Sequence, residues 1–330
     1  MPTRKRLAAS PVARRTVKAR KDNSRRGNSD SDDDYQPDVE EVGIEENKSP
    51  TPEIAVKYET PRMTTTTIIP YEKLRPLDGI EYCDTRVHKN TLLYLKDLRA
   101  NNTRAWFTSH KKEFRRAMGD WETFVEILTP QIIAFDATVP ELPPKDIIFR
   151  IYRDVRFSRD QRPYKSHLSA AFSRTGRRRP YACYYLHLDP GRSYVGGGLW
   201  APEPPTIQLL RQSIDERPEE WRQVLSSEPF VSMFLPTAKG GTDGALKAFA
   251  KMNQEGALKT KPKGYDADHR DIQLIKLRNY HVVKYVDDEI FTAEDGQQRI
   301  IDIISTIHPF VIFLNSIIMP DRDEGSPAHS

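Results

Sequence analysis

Residues 149–167 read FRIYRDVRFSRDQRPYKSH, and this stretch combines a strand-like apolar alternation with a high density of arginine. Alternate residues of an extended chain point to opposite sides. The alternation therefore predicts a strand over residues 149–157 with one largely apolar side. Its other side carries charge and a hydroxyl group, from Arg150, Tyr152, Asp154 and Arg156.

The period of two continues after this stretch, over residues 165–172, 181–188 and 193–200. Turn-forming sequences such as Asp189-Pro190-Gly191 separate these runs, and consecutive strands with short turns favour an antiparallel meander. Helical spacing of apolar residues precedes the strands from about residue 91 and follows them from about residue 207. The predicted fold class is α+β: an antiparallel sheet with helices packed mainly on one face, in a single domain.

Composition divides the chain into parts. Hydrophobic residues make up 37% and charged residues 30% of all 330 residues, which is more polar than a compact domain and predicts a disordered part beside a globular one. We expect a disordered tail over 1–65, basic and then acidic, and an irregular lead-in over 66–88. The α+β domain should span 89–318, followed by a disordered C-terminal tail over 319–330.

Localisation and partners follow from the bulk features. The two cysteines, Cys83 and Cys183, are too few for a disulfide framework, which predicts a reducing intracellular setting. No signal peptide and no apolar run of bilayer-spanning length is recognisable, so we expect a soluble protein without a membrane partner. Basic clusters at Lys5-Arg6 and Lys18–Lys21 resemble a bipartite nuclear-import signal, which favours the nucleus over the cytoplasm; a generic solvated tail is the alternative. Serine- and threonine-proline pairs such as Ser49-Pro50 predict protein kinases as partners of the tail.

The 149–167 stretch also carries a family resemblance. FRIYRDVRFS at 149–158 with Pro163-Tyr164-Lys165 closely resembles the signature of an uncharacterised bacterial and fungal family, the domain of unknown function numbered 2461. Further matching pieces are Leu98 with Asn101-Asn102, Arg104 through Trp106-Phe107, YLHL at 185–188, VGGGLW at 195–200, PKGY at 262–265 and Asp268-His269. They run in order from about 88 to 318, and the long N-terminal tail suggests a fungal-type member. The resemblance implies no activity, because none is established for that family.

The candidate site is the polar side of the predicted sheet. Guanidinium groups form bidentate bonds to phosphate or carboxylate, and tyrosine and histidine orient such a group, so this surface predicts an anionic small-molecule ligand. Three glycines inside one strand weaken it and indicate close approach of a ligand or of another backbone. The candidate residues are Arg150, Tyr152, Asp154, Arg156, Lys165, His167, Tyr185, His187, Gly196, Gly197 and Gly198.

Two alternatives stay open for these residues. Arg153, Asp154 and Arg156 also fit a structural ion-pair network between the sheet and a helix, with Gly196–Gly198 forming a bulge under a packed tryptophan. Catalysis is also open: the surrounding arginines should depress the pKa of Asp154 and make it a poor base, whereas His167 and His187 suit proton transfer. No cofactor and no metal are predicted, because no nucleotide fingerprint and no metal-ligand cysteine spacing occur; a metal site formed by His167, His187 and Asp154 is a minor alternative.

Nucleic-acid binding is the rival function. The basic tail and a basic hairpin tip would contact phosphate groups, the tip through Arg174, Arg177, Arg178 and Arg179. A protein-interaction adaptor regulated through its phosphorylated tail is a third possibility.

Overall fold

A computed structural model describes residues 54–60, 63–69, 72–156 and 158–319 of the chain. The predicted import signal and kinase sites, most of the predicted 1–65 tail and residues 320–330 lie outside the described residues. The helices and strands run, in chain order, β1 Ile54–Thr60, β2 Met63–Ile69, α1 Lys89–Ala100, α2 Arg104–Ser109, α3 Lys111–Ile133, α4 Pro144–Ile147, β3 Leu168–Phe172, β4 Cys183–Leu188, β5 Tyr194–Leu199, α5 Pro204–Glu216, α6 Pro218–Leu225, α7 Glu228–Phe234, α8 Gly241–Met252, α9 Ile272–Ile275, β6 Tyr280–Tyr285, α10 Glu289–Thr292 and α11 Gly296–Ile318.

The sheet that positions the site has the order β3-β4-β5-β6, and every neighbouring pair is antiparallel. In β4 the side chains of Tyr184, Leu186 and Leu188 are fully buried, whereas Tyr185 and His187 are partly exposed. Burial that alternates in this way places the helices mainly on one face of the sheet. The α+β single-domain fold predicted from the sequence is confirmed.

Helix α11 is the central helix on the covered face. A side-chain carbon added at Gly197 of β5 would lie 2.6 Å from Cγ2 of Ile307 and 3.4 Å from Cγ2 of Val311, so only glycine lets α11 approach β5 this closely. Among the described residues α11 alone is long and apolar enough to cross a membrane, but 56% of its most apolar stretch is buried inside the protein. A helix that packs over a sheet in this way is the core helix of the domain.

The helices before the sheet begin and end where the sequence indicates. The side chain of Thr103 caps α2 by accepting a hydrogen bond from the backbone N–H of Trp106 at 3.3 Å, a role for which threonine directly before a helix is well suited. Helix α1 ends at Ala100, directly before these asparagines.

The predicted strand over 149–157 is wrong. Only single bridges form in residues 148–156: Ile148 with Ala170 of β3, and Tyr152 with Tyr164. The backbone folds back on itself, since the amide of Lys165 donates to the carbonyl of Ile151 at 2.7 Å. Local pairing between 151–153 and 163–165 replaces the ladder that a nine-residue strand would need.

A hairpin lies within the segment predicted as tail and irregular lead-in. Strands β1 and β2 pair along their whole length as an antiparallel hairpin, although the sequence predicted no strand in this segment. Four consecutive β-branched threonines, at 64–67, favour an extended backbone even without a continuous apolar alternation.

Candidate functional site

The face of the sheet that the helices leave uncovered carries a continuous layer of aromatic and imidazole rings. We call it the ring face, and its members are His167, Tyr185, His187, Tyr194, Trp200 and His281. Strand register places His187 of β4 directly opposite Tyr194 of β5, and their rings stack with centroids 4.4 Å apart. The ring of His167 lies 4.2 Å from that of His187. At the other end, Trp200 stacks on His281 of β6 at 4.3 Å.

Tyr185 joins the two ends of the ring face. Its ring centroid is 5.8 Å from that of Tyr194 and 5.5 Å from that of Trp200. Burial, followed by the neighbouring Tyr185 and Tyr285, raises the pKa of Tyr194 far above its ordinary value, so its hydroxyl keeps its proton. The face therefore offers flat ring surfaces with polar atoms between them.

Two imidazole nitrogens on the ring face lack hydrogen-bond partners. Nδ1 of His187 and Nδ1 of His281 are both buried and contact no hydrogen-bonding group of the described residues. Buried polar atoms in native proteins are nearly always hydrogen-bonded, so each unsatisfied atom indicates strain, a water molecule or a ligand. Two of them on one face favour a common cause.

His187 is oriented from behind by a buried carboxylate. Nε2 of His187 lies 3.9 Å from Oδ2 of Asp189, whose side chain is 5% exposed and also pairs with Arg99 and, at 3.0 Å, with Arg192. Burial would raise the pKa of Asp189, but the adjacent imidazole of His187 and the charges of Arg99 and Arg192 outweigh it and lower that pKa. The charged carboxylate lies on the Nε2 side of the ring, so Nδ1 is the nitrogen of His187 without a partner.

The outer two histidines of the ring face are neutral near pH 7. Burial, with the charges of His187 and Lys165, lowers the pKa of His167 to about 3, and burial lowers that of His281 to about 4. Neutral imidazoles donate and accept hydrogen bonds but supply no positive charge.

These two depressed pKa values predict how stability changes with pH. The unfolded chain takes up protons on these histidines near pH 6.5, while the folded chain resists until about pH 4 or below. Their contribution to the free energy of unfolding is therefore complete above about pH 6.5 and is lost as the pH falls towards 4. Between pH 7 and 4.5 the free energy of unfolding should fall by roughly 2 kcal/mol more in the wild type than in His281→Gln. Urea unfolding of both proteins at each pH measures this difference.

Comparison of the wild type with His281→Gln isolates the contribution of His281 to the pH dependence of stability. Burial also raises the pKa of Glu113, Asp120 and Glu122, but both proteins share these groups. His110→Gln, outside the ring face, is the control. Parallel wild-type and His281→Gln curves from pH 7 to 4.5 would contradict the expected burial of a neutral His281.

Positive charge lies at the edge of the ring face. Nζ of Lys165 is 5.5 Å from the centroid of the Phe149 ring, and that ring is 5.9 Å from Tyr185. Lys165, His167, Tyr185 and His187 are thus the sequence-predicted site residues that the structure brings together. Arg150 lies on the chain segment that leads to this edge, and its charge helps to lower the pKa of Asp154.

The other residues predicted for the same face have different surroundings. The ring centroid of Tyr152 lies 6.2 Å from that of Phe107 of α2 and 5.6 Å from that of Tyr164. Arg156 forms a bidentate pair with Asp154, with Nη2 at 2.7 Å from Oδ2 and Nε at 3.0 Å from Oδ1. The hydrogen bonds from Arg156 lower the pKa of Asp154 to about 2, as its arginine-rich sequence predicts. Because no strand forms over 149–157, strand alternation does not carry these three residues to the ring face.

The loop beyond them is held by a second ion-pair network. Nη1 of Arg153 lies 2.7 Å from Oδ2 of Asp160, which also pairs with Arg162, and Arg153 donates to the carbonyl of Arg162 at 3.1 Å. These arginines therefore stabilise the local fold of residues 153–162, whereas the structural alternative predicted a network between the sheet and a helix.

The glycines of β5 are explained by packing. A side-chain carbon at Gly196 would lie 2.5 Å from the carbonyl oxygen of Val282, and one at Gly198 would lie 2.3 Å from that of Tyr280. Together with the contact of Gly197 on α11, these distances show close approach of another backbone and of a helix, which is one of the two causes that the sequence allowed.

The basic hairpin tip contacts α4. The guanidinium of Arg177 donates to the carbonyl of Lys145 at 3.1 Å, Arg178 lies 3.5 Å from Asp146, and Arg174 stands over the ring of Tyr181 at 5.4 Å. Arg179 is exposed. In the described part of the chain, no group of three or more histidine, cysteine, aspartate or glutamate residues is arranged to hold a metal ion.

Sequence reasoning missed four residues of the site: Asp189, Tyr194, Trp200 and His281. Tyr194 was detectable in principle, because it occupies the alternate position to Val195 in a predicted strand. His281 was not, since it reaches the site only through the pairing of β6 with β5 across five intervening helices.

Comparisons with known proteins agree with the sequence motifs. Neither the curated proteins nor the solved structures contain a match to this chain. A family model described as "Conserved hypothetical protein (DUF2461)" matches residues 90–313, which is more than half of the chain and includes every strand of the β3–β6 sheet. The chain belongs to this family, the domain of unknown function 2461.

Proposed function

We propose that this chain binds a small ligand bearing a phosphate or carboxylate group on the ring face of its sheet. The observation that carries the proposal is the pair of buried, unpartnered nitrogens, Nδ1 of His187 and Nδ1 of His281. They lie at the two ends of one layer of rings, so a ligand that spans Tyr185 and carries a polar group at each end would satisfy both. Binding alone is proposed, and no reaction is assigned to the site.

The chemistry of the face limits the ligand. The depressed pKa values of His167 and His281 keep the centre of the face neutral near pH 7, so a fully charged ligand would not be stabilised there. A planar or sugar ring against Tyr185 and Trp200 suits the centre, because aromatic faces attract flat and apolar groups. The anionic group would lie at the edge, beside Lys165 and Arg150, where ammonium and guanidinium groups form charge-assisted hydrogen bonds.

A thermal-shift panel on the full chain tests the proposal. The panel contains nucleotides, sugar phosphates, aromatic carboxylates and oligonucleotides, each at two salt concentrations. At a hundredfold excess over its Kd, a ligand of the folded state should raise the melting temperature by roughly 5–10 °C. If only the oligonucleotides raised the melting temperature, and did so much less at the higher salt concentration, the nucleic-acid alternative would be favoured instead.

Two variants separate ring-face binding from a generic response to anions. Lys165→Ala should weaken the best ligand about tenfold or more, because a charge-assisted hydrogen bond is lost. His187→Phe keeps a ring against Tyr194 but removes the unpartnered nitrogen, and should weaken binding by a similar factor. Lys247→Ala, at an exposed position on α8, is the matched control. Equal affinities for all four proteins, measured by calorimetry, would contradict the proposal.

A further inference from the structure

Strand β6 is an edge of the sheet, and one end of that edge is already closed by a side chain. The amide of Asn253, which is 1% exposed, accepts a hydrogen bond from the backbone N–H of His281 and donates one to its carbonyl, both at 3.0 Å. The side chain therefore takes the place of a neighbouring strand at this one residue. Because these bonds point away from β5, they also fix the direction of the other backbone groups along β6.

Successive residues of a strand alternate the direction of their N–H and C=O groups. If the groups of His281 point away from β5, those of Val283 and Tyr285 do so too, while the amide of Val286 points back and donates to Ser193 at 3.0 Å. No described residue forms a hydrogen bond with the outward backbone groups of Val283 or Tyr285. Such an open edge is a template for another extended chain.

A groove opens beside the C-terminal end of β6, where Gly191, Arg192 and Ser193 of the β4–β5 turn also line it. Its volume is about 530 Å³, and Lys284 and Tyr285 of β6 form one wall while α11 forms another. The apolar residues that line it are Met233 of α7, Ile290 of α10 and Ile303 of α11. An edge strand beside a helix, with apolar side chains between them, is the geometry that binds extended peptides.

Charge on the groove favours an acidic occupant opposite Lys284. The side chain of Lys284 lies on the groove side of β6, because its cross-strand partner Val195 faces the buried side of the sheet. The other charged residues of the lining are Arg192, which pairs with Asp189, Arg299, which pairs with Asp295, Asp302, which accepts a hydrogen bond from Gln298 at 2.9 Å, and Asp287, which lies beyond the end of β6. Lys284 is the charged lining residue on the strand itself, and it has no ion-pair or hydrogen-bond partner among the described residues. A second copy of β6 would bring its own Lys284 to the same side, and like charges across a strand pair are destabilising.

We propose that the edge of β6 binds an extended peptide by strand addition, with an acidic residue opposite Lys284 and apolar residues at the flanking groove-facing positions. Val283 and Tyr285 form backbone hydrogen bonds with the peptide, and every second side chain of the peptide lies in the groove. The surface is separate from the ring face, since Lys284 points to the opposite side of the sheet from His281.

A labelled peptide tests this on the full chain. The probe is a capped, fluorescein-labelled Leu-Thr-Glu-Thr-Leu peptide, measured by fluorescence anisotropy beside the same peptide with Lys in place of Glu. In the proposed register the Thr amides pair with β6 and the Leu and Glu amides do not. N-methylation of the Thr amides should weaken binding at least about tenfold, while N-methylation of the Glu amide should change it by less than about twofold.

Protein variants supply the second half of the test. Lys284→Glu should reverse the preference, so that the Lys peptide binds about tenfold more tightly than the Glu peptide; Lys96→Glu, on the exposed side of α1, should not. Val283→Pro removes one outward N–H and should weaken both peptides. Equal losses for the two N-methylation patterns would overturn the proposal. Absence of binding at millimolar probe would do the same, as would a dimer of the chain that Val283→Pro dissociates without any peptide binding.

Discussion

Gly198→Ala should destabilise the domain by about 3 kcal/mol or more. Gly198 has φ +116°, a backbone conformation that residues with side chains rarely adopt, and an added carbon would lie 2.3 Å from the carbonyl oxygen of Tyr280 and 2.8 Å from Cα of His281. Strained backbone and overpacking each cost about 1–3 kcal/mol, and here both apply. The measurement is the free energy of unfolding in urea.

Gly119→Ala is the matched control for this prediction. Gly119 lies inside α3, and an added carbon there would contact nothing within 4 Å. Alanine is the better helix former, so this variant should gain about 0.5–1 kcal/mol. If Gly198→Ala proved as stable as wild type while Gly119→Ala behaved as expected, the close packing of β5 on β6 would be contradicted.

Asp189→Asn should cost about 2–3 kcal/mol of folding free energy and also weaken ligand binding at the ring face. Its carboxylate, 5% exposed, pairs with Arg99, Arg192 and His187. Removal of one partner leaves a partly buried guanidinium without its counter-ion, which costs up to 3–5 kcal/mol in fully buried pairs and less at the partly exposed Arg99. His187 would also lose the carboxylate that lies beside its Nε2 atom.

The control for this variant is an exposed pair of the same chemistry. Asp215, whose side chain is 51% exposed, lies 3.1 Å from Nε2 of His269, and Asp215→Asn should cost about 0.5 kcal/mol or less. Urea unfolding of the two variants measures the difference. Equal small losses would show that Asp189 does not hold the ring face in place.

Much of the fold could be predicted from the sequence because its signals are local. The alternation over 181–188 identified the buried side of β4, and Asn101-Asn102 with Thr103 marked the junction of α1 and α2. The prediction was wrong over 149–157, where an equally regular alternation folds back on 163–165. A strand pattern records which side chains are apolar, but not whether a neighbouring strand is available for pairing.

The site was predictable only where strand order follows chain order. Lys165, His167, Tyr185 and His187 were grouped correctly because β3 and β4 are consecutive and pair directly. His281 could not be added, since β6 pairs with β5 only after helices α5–α9, and no sequence pattern gives the register of that pair. Trp200, like Tyr194, was detectable in principle, because it continues the alternation of the predicted strand over 193–200. The arginines at 150–156 indicated a binding site only through their density in the sequence. In the structure Arg156 pairs with Asp154 and Arg153 pairs with Asp160.

The most direct test of ring-face binding observes the two unpartnered nitrogens themselves. Nitrogen-15 spectra of histidine-labelled full chain, with and without the anionic ligand selected by thermal shift, report the hydrogen bonding of each imidazole. We predict that Nδ1 of His187 and Nδ1 of His281 both shift on ligand addition, while the nitrogens of His110 and His308 stay unchanged. A ligand that raises the melting temperature yet leaves both Nδ1 signals in place would contradict binding at this face.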